Sequence, residues 1–228
     1  MKLTTIEAKT LPEAWYLCIK EAMDEGHEYL IDRGSHQGSE RKELYSTTIR
    51  VEYPGSRPLV PDVPEGVPPP SSMDYVEQYL PYLMTGDKQQ GELYTYGEDI
   101  DYQLQELIRM YKEDGFGTNQ ACMSIGSKGS IFLEHSQCLR VVDTRVWRDQ
   151  LGYRNGEPVF SAPKLTFYVY FRSWDLWAGF PSNLAAIQIL KEYVASGLGV
   201  EDGELIAYSK GLHLYSHHWK VANMVLRR

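Results

Sequence analysis

Between Pro54 and Pro70 the chain carries seven prolines. Proline has a locked φ and no backbone N–H, so such a run fits neither a helix interior nor a central strand. It is expected to cross a surface as extended loop. The run is too short to separate domains of useful size, so residues 1–228 are expected to form a single domain around one core. With 228 residues, 43% of them hydrophobic and 12% aromatic, there is enough apolar material for that core.

On either side of the loop the apolar spacing marks elements. Ala14, Trp15, Cys18, Ile19, Ala22 and Met23 recur at helical intervals from Pro12 to Asp24, with Gly26 as a stop, which assigns Cys18 to packing. A Gly-rich turn at 32–38 precedes a half-buried strand over Thr47–Tyr53. Helices are expected over Met73–Met84, carrying Val76, Tyr79, Leu80 and Leu83 and kinked by Pro81, and over Asp99–Lys112. From Gln120 the pattern turns to strands, at Ala121–Ile125, Leu139–Val142 and Leu165–Phe171. A broadly apolar helix follows over Asn183–Val194, ended by Gly197 and Gly199, and then a strand over Glu204–Tyr215 with a turn at Lys210-Gly211. Helices early and strands late, without regular βαβ alternation, point to an α+β domain.

The net charge of −8 is spread without an acidic tail or a basic run, which argues against nucleic acid or an anionic membrane as partner. A small anionic ligand needs only a local arginine pocket. No apolar stretch approaches the roughly 20 residues of a membrane span, and the first 15 residues lack the apolar run of a signal peptide, so a soluble, cytoplasmic protein is expected. Three cysteines, with no CxxC pair, make a disulfide framework or a structural zinc site unexpected.

Chemistry-bearing residues concentrate where the strongest strand breaks toward a helix, from Tyr170 to Asn183. Arg172 and Ser173 together offer a fork of donors and a hydroxyl suited to phosphate; Asp175 and Asn183 can bond a heterocycle directionally. A salt bridge beside a helix cap would use the same residues. Cys138 enters a strand and reads either as a small buried hydrophobe or, with an arginine nearby, as a thiolate nucleophile. Alternation over Leu212–Tyr215 points His213 and Tyr215 to one face, where ligand hydrogen bonding suits them better than a metal.

Taken in order, these segments resemble the thymidylate synthase family, which includes the pyrimidine hydroxymethylases, in its compact archaeal branch. Phe171-Arg172-Ser173-Trp174-Asp175 through Gly179-Phe180-Pro181-Ser182-Asn183 resembles the family's arginine-serine-x-aspartate segment and the asparagine beyond it. His213-Leu214-Tyr215 is similar to its histidine-isoleucine-tyrosine motif, Cys138 to its nucleophile, Tyr96-Gly97 to its tyrosine-glycine pair, and Asp32-Arg33-Gly34 to its phosphate-binding turn.

The resemblance implies a large mixed sheet packed with helices, whose face forms a homodimer. It also implies a reaction in which Cys138 adds to C6 of dUMP and C5 takes a one-carbon unit from 5,10-methylenetetrahydrofolate. Arg172, Ser173 and Arg33 would hold phosphate, with Arg172 also keeping the thiol ionised. His213 and Tyr215 would bind the ribose, Asn183 the uracil edge and Asp175 the pterin, while Tyr96 would belong to a chain moving the C5 proton. An asparagine can donate to O4 and accept from N3–H, whereas an aspartate is expected there in enzymes acting on dCMP. Departures from the family include Thr118-Asn119-Gln120-Ala121 where it has an arginine pair, Ser136-Gln137 where it has a proline pair before the nucleophile, a Gly-containing insertion at about 148–163, and Tyr79 where it has its catalytic glutamate, with Glu77 two positions away. A pyrimidine nucleotide hydroxymethylase and a catalytically weak nucleotide-binding relative are the alternatives.

Overall fold

The computed structural model describes residues 2–32 and 36–228. Strands β1 (Thr4–Ala8), β4 (Thr47–Val51), β5 (Cys122–Ser124), β6 (Leu139–Trp147), β9 (Lys164–Phe171) and β11 (Glu201–Ser209) form one mixed sheet in the order β1-β4-β11-β9-β6-β5. β1 with β4 and β11 with β9 run parallel, and the other neighbours are antiparallel. β2 (His27–Leu30), β3 (Glu40–Leu44), β10 (Trp174–Asp175) and β12 (Leu212–Tyr215) form a smaller sheet in the order β10-β12-β3-β2. Helices α1 (Leu11–Glu25), α2 (Met73–Met84), α3 (Gly97–Glu113), α4 (Gly179–Leu198) and α5 (Trp219–Val225) complete an α+β architecture of a large mixed sheet packed with helices.

Each helix has a local cause. Thr10 accepts from Glu13 N–H at the start of α1, Pro12 sits in the first turn, and Leu11, Ala14, Trp15, Cys18, Ile19 and Ala22 make its buried stripe. Cys18 is fully buried core, as its spacing indicates. In α2, Ser72 caps the start; Val76 and Leu83 are buried, while Tyr75, Tyr79 and Tyr82 form a second stripe turned toward a cleft. Helix α4 is apolar on nearly every side because the sheet and the other helices surround it, and even Lys191 is fully buried, its ammonium held by Asp202 at 3.0 Å and by the Gly203 carbonyl.

Several sequence expectations need correction. The early part is not mainly helical, since β1 to β4 all precede the proline loop. Helix α4 begins at Gly179 instead of Asn183, because the Asp175 carboxylate caps that turn and Pro181 is tolerated in it; Gly197 lies inside it, and Gly199 ends it with a left-handed φ of 67°. The single strand expected over Glu204–Tyr215 is two strands in different sheets, divided at Lys210-Gly211. Residues 148–163 hold an exposed two-stranded ribbon, β7 (Gln150–Arg154) and β8 (Glu157–Phe160), turned by Asn155-Gly156, both at positive φ.

One face of the main sheet carries the core. Its opposite face presents Val141, Trp147, Tyr168, Tyr170, Ile206 and Tyr208, all half-buried or exposed.

Trp15 ties α1 to the turn before α4, donating its indole N–H to the carbonyls of Leu176 at 3.0 Å and Trp177 at 3.2 Å. Replacing it by phenylalanine keeps much of the packing but leaves buried carbonyls without a donor. Trp15→Phe is expected to lower unfolding free energy by about 1–3 kcal/mol in urea titration.

Candidate active site

At Phe171 the chain leaves the main sheet, and three residues later Trp174-Asp175 pairs with Leu212-His213 in the smaller one. That turn places Arg172 against the start of β6. Its backbone N–H donates to the Cys138 carbonyl at 2.9 Å, its Nε to the Gln137 carbonyl at 3.0 Å, and a terminal nitrogen to the Ser136 carbonyl at 2.5 Å. Two of the five guanidinium donors are used in this anchoring, and the rest remain for a ligand. Half-buried Ser173 follows it in the turn.

Cys138 is half-buried immediately before β6. Burial pushes its thiol above the ordinary value; the charge of Arg172 and a hydrogen bond with Tyr94 pull it down more weakly. Arg172 therefore acts in the expected direction, but desolvation outweighs it, and the resting group is the thiol. Tyrosines surround this point. The Tyr96 hydroxyl accepts from Leu139 N–H at 3.3 Å, the rings of Tyr82 and Tyr96 meet edge to face at 5.2 Å, and those of Tyr79 and Tyr82 stack at 5.3 Å. Desolvation, the largest effect on each, raises the phenols of Tyr79, Tyr82, Tyr94 and Tyr96, which stay neutral and act through hydrogen bonds.

Tyr79, Tyr82, Tyr96 and Asn183 line a cleft of about 450 Å³ between α2 and the start of α4. Its one carboxylate is Glu92, and Glu77 is exposed on α2. Asn183 donates to the Tyr79 hydroxyl at 2.9 Å and accepts from the Trp174 indole at 3.0 Å. Asp175 is occupied locally: its carboxylate accepts from the N–H groups of Trp177 at 3.3 Å, Ala178 at 3.1 Å and Gly179 at 3.0 Å. A pterin at Asp175 would share the carboxylate with this cap.

The smaller sheet adds a polar face. Cross-strand register sets Asp175, His213 and Glu43 in one row and Tyr215, Arg41 and Tyr29 in the next. Tyr215 lies across the strand pair from Arg41, which donates to the Tyr29 hydroxyl, and stacks on His36 at 4.2 Å. His213 is buried, and its Nδ1 must donate to the Gly211 carbonyl at 3.0 Å, since a carbonyl only accepts. Burial lowers its pKa to about 4, so the ring is neutral and Nε2 is an acceptor; that atom is buried with no partner among the described residues. It suits a ligand hydroxyl.

The structure brings Cys138 and Arg172 together at the start of β6 with Tyr96 against Leu139, Tyr96 also lines the cleft with Asn183, and His213 and Tyr215 adjoin Asp175 in the smaller sheet, while Arg33 lies outside the described residues. Sequence reasoning missed Tyr94, Tyr82, Arg41 and Trp174. The spacing of Tyr94 and Tyr96 could have signalled the first. Arg41 gave no signal, because its neighbour Tyr215 is distant in the chain and only sheet register joins them. Among the described residues no group of three His, Cys, Asp or Glu side chains is placed to hold a metal, and no helix is long and apolar enough to cross a membrane.

Residues 137–228, which hold Cys138, Arg172, Asn183 and His213, match the family model described as thymidylate synthase. Across nearly the whole chain, likeness extends to archaeal proteins described as "Putative thymidylate synthase". One from Methanosarcina mazei is 24% identical over 97% of this chain and 94% of its own. One from Methanothermobacter thermautotrophicus is 23% identical over 98% of each. Tyr79, Tyr94 and Tyr96 lie before the matched segment and reach the site only through packing.

The depressed pKa of His213 has a consequence for stability. As pH falls below the ordinary imidazole value of 6.5, the unfolded chain takes up a proton that the folded chain refuses until about pH 4. Stability therefore drops across that window, and His213→Gln should remove part of the slope. Urea unfolding of both proteins at pH 5 and pH 7.5 measures it: the wild type should lose more on acidification than the variant.

Proposed function

We propose that this chain is a thymidylate synthase that converts dUMP to dTMP with 5,10-methylenetetrahydrofolate as co-substrate. The observation that carries this reading is Cys138 beside the anchored guanidinium of Arg172, next to Leu139, whose N–H bonds the Tyr96 hydroxyl, while Tyr96 also lines the cleft that holds Asn183. A bound phosphate would engage the remaining Arg172 donors, with Ser173 and Arg33 as further contacts. The Cys138 thiol gives up its proton and adds as thiolate to C6, C5 attacks the one-carbon unit, loss of the C5 proton through Tyr96 and Tyr94 expels the folate nitrogen, and hydride from the folate completes the methyl group as Cys138 leaves C6 and the C5–C6 double bond re-forms. His213 Nε2 and Tyr215 take the ribose hydroxyl, Asn183 the uracil edge, and Asp175 the pterin. Residues 1–228 act as one domain, in the cytoplasm, without a nucleic-acid or membrane partner.

The open face of the main sheet supports a homodimer, because aromatic side chains there are ringed by charged ones such as Arg50 and Glu204 and surround a depression of about 590 Å³ far from Cys138. Sedimentation should show a dimer, and Ile206→Glu with Tyr168→Glu should shift it toward monomer. A second reading, a pyrimidine nucleotide hydroxymethylase in which water replaces hydride, is favoured by the lack of a carboxylate at Tyr79 and of the arginine pair at Asn119-Gln120.

Intact-protein mass spectrometry with 5-fluoro-dUMP and methylenetetrahydrofolate should find a covalent ternary adduct, absent in Cys138→Ser. With dUMP, formation of dTMP and dihydrofolate supports the synthase; a hydroxymethylated nucleotide without folate oxidation supports the second reading. No adduct on Cys138 overturns both.

A further inference from the structure

The amide of Asn183 is gripped from both sides. Trp174 Nε1–H donates to Oδ1 at 3.0 Å, and Nδ2–H donates to the Tyr79 hydroxyl at 2.9 Å. An indole N–H can only donate, so the atom facing it must be the amide oxygen, and the nitrogen is thereby turned toward Tyr79. The indole has no freedom to follow a different amide orientation. It is buried, lies flat against Phe171 with ring centres 4.0 Å apart at 5°, and packs on Phe180 at 4.6 Å.

The two contacts differ in what they forbid. If the amide turned over, the Tyr79 hydroxyl could rotate and donate to the oxygen it would then meet. The indole has no such option: its N–H would confront the amide N–H₂ with both donors unsatisfied. Trp174 is therefore the lock, and Tyr79 an adaptable support.

Each amide atom keeps one bond to give, a second N–H on Nδ2 and a second lone pair on Oδ1. Uracil presents N3–H beside a C4 carbonyl, a donor next to an acceptor; cytosine presents N3 beside a 4-amino group, the reverse order. An amide can serve either edge, but only by turning over between them. Resting on the pyrimidine-nucleotide reading above, we propose that Trp174 is a specificity-determining positioning residue, whose indole N–H fixes the Asn183 amide in one orientation and so makes the site distinguish uracil from cytosine nucleotides.

Calorimetric binding of dUMP and dCMP tests this without requiring turnover. The wild type should favour dUMP by about tenfold or more, the scale of an unsatisfied donor pair. Trp174→Phe keeps the ring stack and removes the donor; it should shrink the ratio about tenfold, mainly by tighter dCMP binding. Equal weakening of both nucleotides, with the ratio kept, would mean that Trp174 only packs, and would overturn the proposal. Should that variant not fold, Tyr79→Phe decides: the ratio should change less than about threefold, whereas a tenfold collapse would put the lock on the phenol. A wild type that binds both nucleotides alike removes the lock but leaves the pyrimidine site; one that binds neither removes both.

Discussion

Three backbone N–H groups, those of Trp177, Ala178 and Gly179, converge on the carboxylate of Asp175. The first N–H groups of a helix have no partner within it, and the positive end of its dipole favours an anion. Asp175 meets both needs for α4, the helix around which the other helices and the main sheet are packed. The same residue is paired with His213 in the smaller sheet. One residue thus caps the start of the central helix with its side chain, so placing Asn183 in its first turns, and pairs through its backbone into the smaller sheet.

That join explains why the candidate site lies where it does. β9 ends in the main sheet at Phe171, and the next residues must cross to the smaller sheet; in crossing, Arg172 is pinned to the carbonyls before Cys138. Tyr94, Tyr96 and the stripe on α2 close the region from the other side. Tyr96 and His213 are buried and Cys138 half-buried, and that burial raises the thiol and phenol and lowers the imidazole. In such surroundings an unmatched donor or acceptor is costly, which gives weight to the orphaned Nε2 of His213 and to the grip on Asn183.

Tyr79 shows how the cleft is held together without a carboxylate on this face of α2. A carboxylate at that position would face a cleft crowded with tyrosines; the phenol instead stacks on Tyr82 and accepts from Asn183. The phenol thus keeps a neutral hydrogen-bonding group in contact with the asparagine.

Local pattern by itself determined a good deal. Helical spacing marked α1, α2 and α3 and the body of α4, alternation marked β4 and β9, and seven prolines marked the surface crossing, because each depends on the period of side chains along a short stretch. The order of Cys138, Arg172, Asn183 and His213 was legible as a family resemblance. Tertiary structure decided what no local period encodes: that Glu201–Tyr215 is split between two sheets, that Arg41 lies beside Tyr215, that burial outweighs Arg172 at the thiol, and that Trp174 orients Asn183. These are pairings and desolvations between residues far apart in the chain, and they come into being only when the two sheets meet at the turn before α4.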